Sequence, residues 1–204
     1  ETMTAIFIAY AFGEGIGRLA CISFGCCYGR PLSTCNPLIQ RIFRHWNFVF
    51  CGKTKKIAYD HQLDGQAVIP IQALTAIIYT GCGLLSFYLF IKGKAPAALL
   101  TTLFVTQGWR FASEFLRADY RGHGRISAYQ IMTIFANIYT LVILAFIQEH
   151  YRGLPNLLKG LSYLWDPGMI IFLVVLWVVS FLYTGRSSVT LSSIHIRIRE
   201  INEL

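Results

Sequence analysis

The chain has 204 residues, a net charge of +8 and a mean hydropathy of +0.52. Charged residues make up only 14% of it, whereas a soluble domain carries roughly 25%. Several stretches of sequence are long enough to span a membrane as a helix and contain almost no charged residues. This composition excludes an ordinary soluble domain and predicts an all-α polytopic membrane protein. The positive charge lies in loops, where it suits anionic headgroups, so nucleic acid is not an expected partner.

Five apolar segments predict about five transmembrane helices, with a long interfacial loop after the first. The segments are residues 2–24, 71–91, 95–116, 126–147 and 168–183. Within the loop, residues 38–50 are amphipathic, because they combine Arg and His with Ile, Phe and Trp. This pattern predicts a helix that lies on the lipid headgroups or packs under the loop. The tail, residues 187–204, alternates apolar and polar residues and predicts a half-buried strand or a segment that binds a partner.

The first predicted span carries a charge pair and ends in a cysteine-rich turn. Glu14 and Arg18 are four residues apart, so they share a helix face and can pair. A structural ion pair remains one interpretation, but ionisable groups inside a membrane segment more often mark a site. Cys26 and Cys27 follow shortly after Arg18. An arginine nearby lowers the pKa of a thiol, and the resulting thiolate is the better nucleophile. The alternative is that these thiols are small buried residues or form a disulfide.

The chain has six cysteines, and five of them surround the first loop. Cys82 lies in an apolar segment and is predicted to be a buried thiol. The spacing of the others is compatible with disulfides, a metal site or reactive thiols. A redox or metal site at Cys21, Cys26, Cys27 and Cys35 is therefore a third and less favoured hypothesis.

The third predicted span ends in a second charged cluster. Arg110 and Glu114 are again four residues apart, and Arg117 follows one turn later. Gln72 and Gln130 begin the second and fourth spans. In a five-span topology all these positions share one membrane side with Arg18. Because guanidinium groups bind phosphate oxygens through paired N–H donors, the cluster predicts a site for an anionic phospholipid headgroup.

Four sequence elements resemble, in order, those of prolipoprotein diacylglyceryl transferases. The first is Gly17-Arg18-Leu19 with Gly25 and Gly29-Arg30, and the second is Pro70-Ile71-Gln72-Ala73-Leu74, which is similar to the family's Pro-x-Gln-Leu. The third is Arg110-Phe111 with Glu114-Phe115-Leu116-Arg117, which is similar to Arg-Phe-x-x-Glu-Phe-x-Arg. The fourth is Ser127 with Gln130, which is similar to Ser-x-x-Gln. Their order and spacing agree over about residues 10–147. We therefore predict a transferase-like membrane core in residues 1–147, followed in 148–204 by an extra transmembrane helix and a polar tail.

The resemblance implies an integral protein of the bacterial inner (plasma) membrane that acts in lipoprotein biosynthesis. Such an enzyme transfers a diacylglyceryl group from phosphatidylglycerol to the thiol of a prolipoprotein cysteine, and we predict no cofactor and no metal. It implies that Arg18 and Arg110 hold the headgroup and that Glu114 supports Arg110 or accepts a proton. The remaining candidates are Arg117, Gln72 and Gln130 for the headgroup, and Cys26 and Cys27 as nucleophile or acceptor.

The chain also departs from the family pattern. Cys21 and Cys26 stand where the signature has Asn and Glu, and Ile69 replaces the His of the Pro-x-Gln element. The family's upstream His-Gly-Gly element is absent, which fits an N-terminal part of the family fold lying outside this sequence. The Gly-Cys-Cys-Tyr-Gly turn resembles a divergent branch. A second hypothesis is therefore a non-catalytic homologue that serves as a lipid-binding structural subunit of a larger membrane complex.

Overall fold

The computed structural model describes residues 1–118, 127–146 and 155–185, without the side chains of 143–145, 184 and 185. The described part is mostly helical, as the composition predicts. Its helices are α1 Thr2–Phe24, α2 Pro37–Phe43, α3 Lys56–His61, α4 Ile71–Ile91, α5 Ala95–Glu114, α6 Ala128–Phe146, α7 Leu157–Tyr163 and α8 Pro167–Gly185. The predicted tail, residues 187–204, lies outside the described residues, as do residues 119–125 between the third and fourth predicted spans.

Two of these helices, α1 and α4, are long and apolar enough to cross a membrane. The pair α7 and α8, bent by 71°, counts as a third candidate if it is one broken span, and the apolar part of α6, Ala128–Val142, is shorter. Helix α5 is not among the candidates, since it carries many hydroxyl groups together with Arg110 and Glu114. Two to three candidate spans are thus established by length and composition, and the count of five stays a prediction.

Contacts divide the chain into residues 1–155 and residues 156–204. In the first unit α1 packs against α4 and α5, α4 packs against α5, and α5 packs against α6. Gly15 permits the close approach of α1 to α4, because a Cβ there would lie 2.9 Å from Thr80 Oγ1 and 3.1 Å from Tyr79 Cβ. A Cβ at Gly13 or Gly17 would meet no heavy atom of the described residues within 4 Å.

The loop between α1 and α4 folds on a small core of its own. Tyr28, Phe50, Ile57 and Val68 are buried together there. A 3₁₀ turn, Leu32–Thr34, precedes α2, and strands β1 (Phe48–Val49) and β2 (Ala67–Val68) pair antiparallel, with Phe48 opposite Val68. The loop is therefore a packed layer over one end of α1 and α4, within hydrogen-bonding reach of both.

The interfacial helix predicted over residues 38–50 is shorter than expected. Helix α2 ends at Phe43, and the Asn47 side chain donates to the carbonyl oxygens of Phe43 (3.1 Å) and Arg44 (2.9 Å). These bonds satisfy carbonyl groups at the helix end, and the residues that follow pair as β1. The helical periodicity of 38–50 was thus overridden by the pairing of β1 with β2.

The Tyr28 hydroxyl joins the loop core to α3, donating to Asp60 Oδ2 at 3.0 Å and lying 2.5 Å from His61 Nδ1. Because Tyr28 is fully buried, Tyr28→Phe leaves polar groups of α3 without this partner, and we expect a loss of about 1–2 kcal/mol in unfolding free energy. Thermal unfolding in detergent should show a melting temperature lower by about 2–6 °C. Tyr59→Phe removes an exposed hydroxyl of the same helix and is the matched control. Equal melting temperatures for the two variants would contradict the assignment.

The second unit consists, in its described part, of α7 and α8. The Asn156 side chain caps α7 by accepting from Lys159 N at 3.0 Å, and Asp166 Oδ1 caps α8 by accepting from Met169 N at 3.0 Å. The described side chains of α8 are exposed and predominantly apolar, as a lipid-facing helix requires.

Candidate functional site

A cavity of about 120 Å³ is bounded by residues of α1, α4, α5 and α6 and by the segment that follows α5. It is lined by Arg18, Thr75, Tyr79, Trp109, Arg110, Ser113, Glu114, Arg117 and Tyr129. Three guanidinium groups face the carboxylate of Glu114 in the lining and that of Glu14, which pairs with Arg18, so one net positive charge remains at the site. The cavity thus gathers Arg18, Arg110, Glu114 and Arg117, from both sequence clusters, into one candidate site.

Arg18 reaches the cavity from α1. Its side chain is 19% exposed and forms an ion pair with Glu14, one turn earlier, as the spacing predicts. Arg18 Nε is buried and has no hydrogen-bond partner among the described residues. A buried donor left without an acceptor costs about 1–3 kcal/mol, so this N–H suits an anionic ligand that supplies the missing oxygen.

Arg110 is held by aromatic side chains. Its Nη1 donates to the Tyr10 hydroxyl at 3.4 Å, and its guanidinium carbon lies 5.3 Å from the centre of the Tyr129 ring. A guanidinium over an aromatic face keeps its edge N–H groups available for an anion. The neighbouring wall is fixed by Trp109 Nε1, which donates to Thr75 Oγ1 at 2.9 Å.

Arg117 enters the cavity because the chain turns back after α5. The backbone of Arg117 pairs with that of Gly29, and its carbonyl oxygen accepts from Arg30 Nε at 3.4 Å. Arg30 N also donates to Leu116 O at 2.9 Å. Arg117 is only 9% exposed, so its charge is largely removed from solvent. The turn after α1 thus fixes the position of an arginine that is distant in sequence.

Three cysteines meet beside this arginine. Gly25 ends α1 in the left-handed conformation (φ 62°), and Cys27 also has a positive φ of 55°. These two conformations fold the chain back so that the Sγ atoms of Cys21, Cys26 and Cys27 lie within 4.8 Å of one another. All three are free thiols, partly exposed.

The environment separates the two adjacent thiols of this turn. Hydrogen bonds from the Cys21 and Cys26 thiols, with the charge of the Arg117 guanidinium and its hydrogen bond, lower the pKa of the Cys27 thiol. Hydrogen bonds between the Cys26 thiol and Cys21 and Cys27, together with burial, raise the pKa of the Cys26 thiol. The cluster therefore favours one thiolate at Cys27, stabilised by its neighbours.

The structure places the two predicted glutamines beside the cavity lining instead of in it. Gln72 is fully buried, and its Nε2 donates to Cys26 O at 2.8 Å. Gln130 Oε1 accepts from Ser127 N at 2.9 Å while Ser127 Oγ accepts from Gln130 N at 3.2 Å, a reciprocal cap at the start of α6. Both amides therefore hold backbone that carries site residues.

The other predicted cysteines lie away from the cluster. Cys35 Sγ donates to Pro31 O at 3.4 Å. Of the four cysteines predicted to form one site, the structure therefore brings together only Cys21, Cys26 and Cys27 among the described residues. Cys82 is 6% exposed and its thiol faces Thr101 O at 3.6 Å, which confirms a buried thiol.

Several lining residues were missed by sequence reasoning. Tyr10 and Tyr129 contact Arg110 from other helices, and Thr75, Tyr79 and Trp109 complete the walls. An aromatic residue one or two turns from a charged motif was the available signal, but aromatic residues are frequent throughout these apolar segments.

The apolar helices are typical of a membrane protein, and the cavity bounded by α1, α4, α5 and α6 is its candidate site. Prolipoprotein diacylglyceryl transferase is the family that matches the chain, over residues 1–146. The chain belongs to this family, which confirms the resemblance seen in the motifs. Members of the family are integral membrane transferases of lipoprotein biosynthesis. Searches of curated proteins and of solved structures returned no match.

Proposed function

We propose that this protein is a membrane transferase that moves a diacylglyceryl group from phosphatidylglycerol to the thiol of a prolipoprotein cysteine. The observation that carries the proposal is the cavity in which Arg18, Arg110 and Arg117 converge with Glu114. Family membership supplies the reaction class, and the charge of the cavity supports the choice of an anionic donor lipid.

The charge balance of the cavity suits the chemistry of this transfer. The phosphodiester of phosphatidylglycerol carries one negative charge, and the glycerol phosphate that leaves carries two. Three guanidinium groups surround the cavity, and they attract a doubly charged leaving group more strongly than the singly charged lipid. Stabilisation that grows as the C–O bond breaks lowers the barrier of the chemical step.

Individual roles follow from the contacts. Arg18 offers the unsatisfied Nε donor to a phosphate oxygen, and Arg110 offers a guanidinium edge that the Tyr129 ring leaves free. Glu114 lies on the same face of α5 as Arg110, one turn away, and lines the same cavity. We assign it the support of Arg110 and the acceptance of the proton released by the acceptor thiol.

Lipid retention tests the donor site without any assay of transfer. The protein is purified from membranes in mild detergent, incubated with equimolar phosphatidylglycerol and phosphatidylethanolamine, and examined by native mass spectrometry. We expect wild type and Arg41→Ala, which removes an exposed arginine of α2, to retain phosphatidylglycerol. Arg18→Ala should retain it at least about tenfold less well, because a charge-assisted hydrogen bond contributes roughly 1.5–3 kcal/mol. Equal retention of the two lipids, or by the two variants, would contradict the proposed site.

A second candidate function is a lipid-binding structural subunit without catalysis. The observation that favours it is the pair Cys21 and Cys26 at positions where the family signature has Asn and Glu. This candidate predicts retention of phosphatidylglycerol with no transfer to a cysteine peptide, together with co-purifying partner proteins.

A further inference from the structure

We propose that Cys21, Cys26 and Cys27 bind a zinc ion whose fourth coordination position takes the thiolate of the acceptor cysteine. The zinc site stands on the geometry of the three thiols. The role of its fourth position rests on the proposed transferase function. Such a site would supply what the reaction needs, a deprotonated sulfur held beside the phospholipid.

The spacing of the sulfur atoms suits a tetrahedral metal. Zinc binds thiolate sulfur at about 2.3 Å, which separates two sulfurs of a tetrahedral site by about 3.8 Å. The three Sγ atoms already lie within 4.8 Å of one another, so small rotamer changes bring them to that separation. Structural zinc sites are closed by four protein ligands, whereas catalytic sites keep one position open. The described residues offer three ligands here, and the proposal assigns the fourth position to the acceptor thiolate.

The backbone holds the thiols in place before any metal binds. Cys27 occupies the left-handed region, which costs a non-glycine residue about 1–2 kcal/mol and persists only where surrounding contacts enforce it. Cys26 is held on both sides, since its N–H donates to Cys21 O at 3.1 Å and its carbonyl accepts from Gln72 Nε2 at 2.8 Å. The buried Gln72 thus fixes the conformation of the ligand turn, a supporting contact of the kind that metal sites require.

The surrounding charge also favours a metal thiolate. Zinc with three thiolates carries one negative charge, and a fourth thiolate raises this to two. Arg117 hydrogen-bonds to Cys27, and Arg117 also lines the cationic cavity with Arg18. The arginines therefore offset the charge of the complex and place it next to the headgroup site. Soft thiolate ligands select zinc or copper(I) among common metals, and zinc suits a reaction without electron transfer.

The proposed step balances without an oxidant or reductant. The acceptor thiol loses its proton on binding zinc, because a coordinating thiol is deprotonated, and the proton passes to Glu114 and then to solvent. The thiolate sulfur forms a C–S bond to the terminal glycerol carbon of the diacylglyceryl group while the C–O bond to phosphate breaks. The electron pair leaves with glycerol phosphate, which the arginines hold. The product thioether is neutral, binds zinc weakly and departs.

Metal content and cobalt spectra test the metal site directly. Elemental analysis of the purified full chain should give about one zinc per protein in wild type and in Cys51→Ser, which alters an exposed cysteine outside the cluster. Cys21→Ser and Cys27→Ser should retain at least tenfold less. Cobalt(II) titrated into metal-free wild type should give thiolate-to-cobalt charge-transfer bands and tetrahedral d–d bands, a readout that needs no variant. Copper or iron in place of zinc, a Cys26–Cys27 disulfide in the intact mass, or metal retained equally by all variants would overturn the proposal.

The open position is tested with a lipobox peptide added to the cobalt-substituted protein. A cysteine peptide should strengthen the thiolate-to-cobalt band, whereas the same peptide with serine should leave it unchanged. An unchanged spectrum with both peptides would overturn the role of the fourth position.

A chelator separates this proposal from the donor site. Removal of zinc should abolish transfer while phosphatidylglycerol is still retained. If retention is absent in wild type, the donor site is wrong, and if transfer persists after complete zinc removal, the zinc role is wrong.

Discussion

Replacing Arg110 by alanine should lower the rate of diacylglyceryl transfer by about a hundredfold or more, the usual cost of removing one donor from a site of developing charge. Arg110 lines the cavity, and its guanidinium lies 5.3 Å from the Tyr129 ring centre. The loss should appear mainly in kcat, because the interaction strengthens as the phosphate becomes a leaving group. The rate is measured with phosphatidylglycerol vesicles and a fluorescent lipobox peptide.

Two matched variants separate charge from geometry at this position. Arg110→Lys keeps the charge but loses the planar fork of donors, so we expect an intermediate rate. Arg41→Ala removes an exposed arginine outside the cavity and should transfer at the wild-type rate. If Arg110→Ala and Arg41→Ala have the same rate, Arg110 does not act in the reaction.

Gly29→Ala should destabilise the whole loop layer. A Cβ at Gly29 would lie 2.4 Å from the Ile69 carbonyl oxygen and 2.7 Å from Ile69 Cβ, so the backbone must move apart. The adjacent Arg30 N–H bonds Leu116 O, and Arg30 O accepts from Ile69 N, so this movement breaks the ties that fix the segment of Arg117. Overpacking of this kind costs about 1–3 kcal/mol, which lowers the melting temperature by roughly 3–10 °C.

Gly13→Ala is the matched control for this substitution. A Cβ at Gly13 would meet no described heavy atom within 4 Å, and alanine is the better helix former, so the melting temperature should stay the same or rise. Equal melting temperatures for Gly29→Ala and Gly13→Ala in differential scanning fluorimetry would show that the Gly29 contact is not tight.

The long apolar helices were predictable because hydropathy and length alone define them. Helices α1 and α4 begin and end at the predicted residues, where Gly25 stops the first and Pro70 precedes the second. The short strands β1 and β2 were not predicted, since their pairing joins residues about twenty positions apart across a loop with helical periodicity. The hydropathy pattern is therefore sufficient to predict the long helices, whereas the structure of the loop depends on tertiary contacts.

Spacing predicted that the charged residues lie together, whereas Gln72 and Gln130 lie beside the cavity lining instead of in it. Arg18 with Glu14 pairs as the four-residue interval predicts, and Arg110, Glu114 and Arg117 line one cavity with Arg18. The hydrogen-bond partner of a buried side-chain amide depends on which backbone groups the fold brings close to it. The carbonyl of Cys26 reaches the buried Gln72 only because the turn after α1 folds back, a feature that no periodicity indicates.

The cysteine cluster was left open by spacing and resolved by backbone conformation. Gly25 was a natural position for a left-handed residue at a helix end, but a positive φ at Cys27 is uncommon for a residue with a Cβ. Both residues lie in the turn where the Sγ atoms of Cys21, Cys26 and Cys27 come within 4.8 Å of one another. Cys35 is separated from them by the turn and the proline-containing segment that follows.

The transferase activity is tested most directly by transfer from phosphatidylglycerol labelled with deuterium in its acyl chains. The purified protein, the labelled lipid in vesicles and a lipobox peptide with a single cysteine are incubated together, and the peptide is analysed by mass spectrometry. We predict a peptide that gains the mass of the labelled diacylglyceryl group on its cysteine, with release of glycerol phosphate, in wild type and not in Arg18→Ala or Arg110→Ala. An unmodified peptide, from wild-type protein that still retains phosphatidylglycerol, would contradict the transferase proposal and favour a lipid-binding role without catalysis.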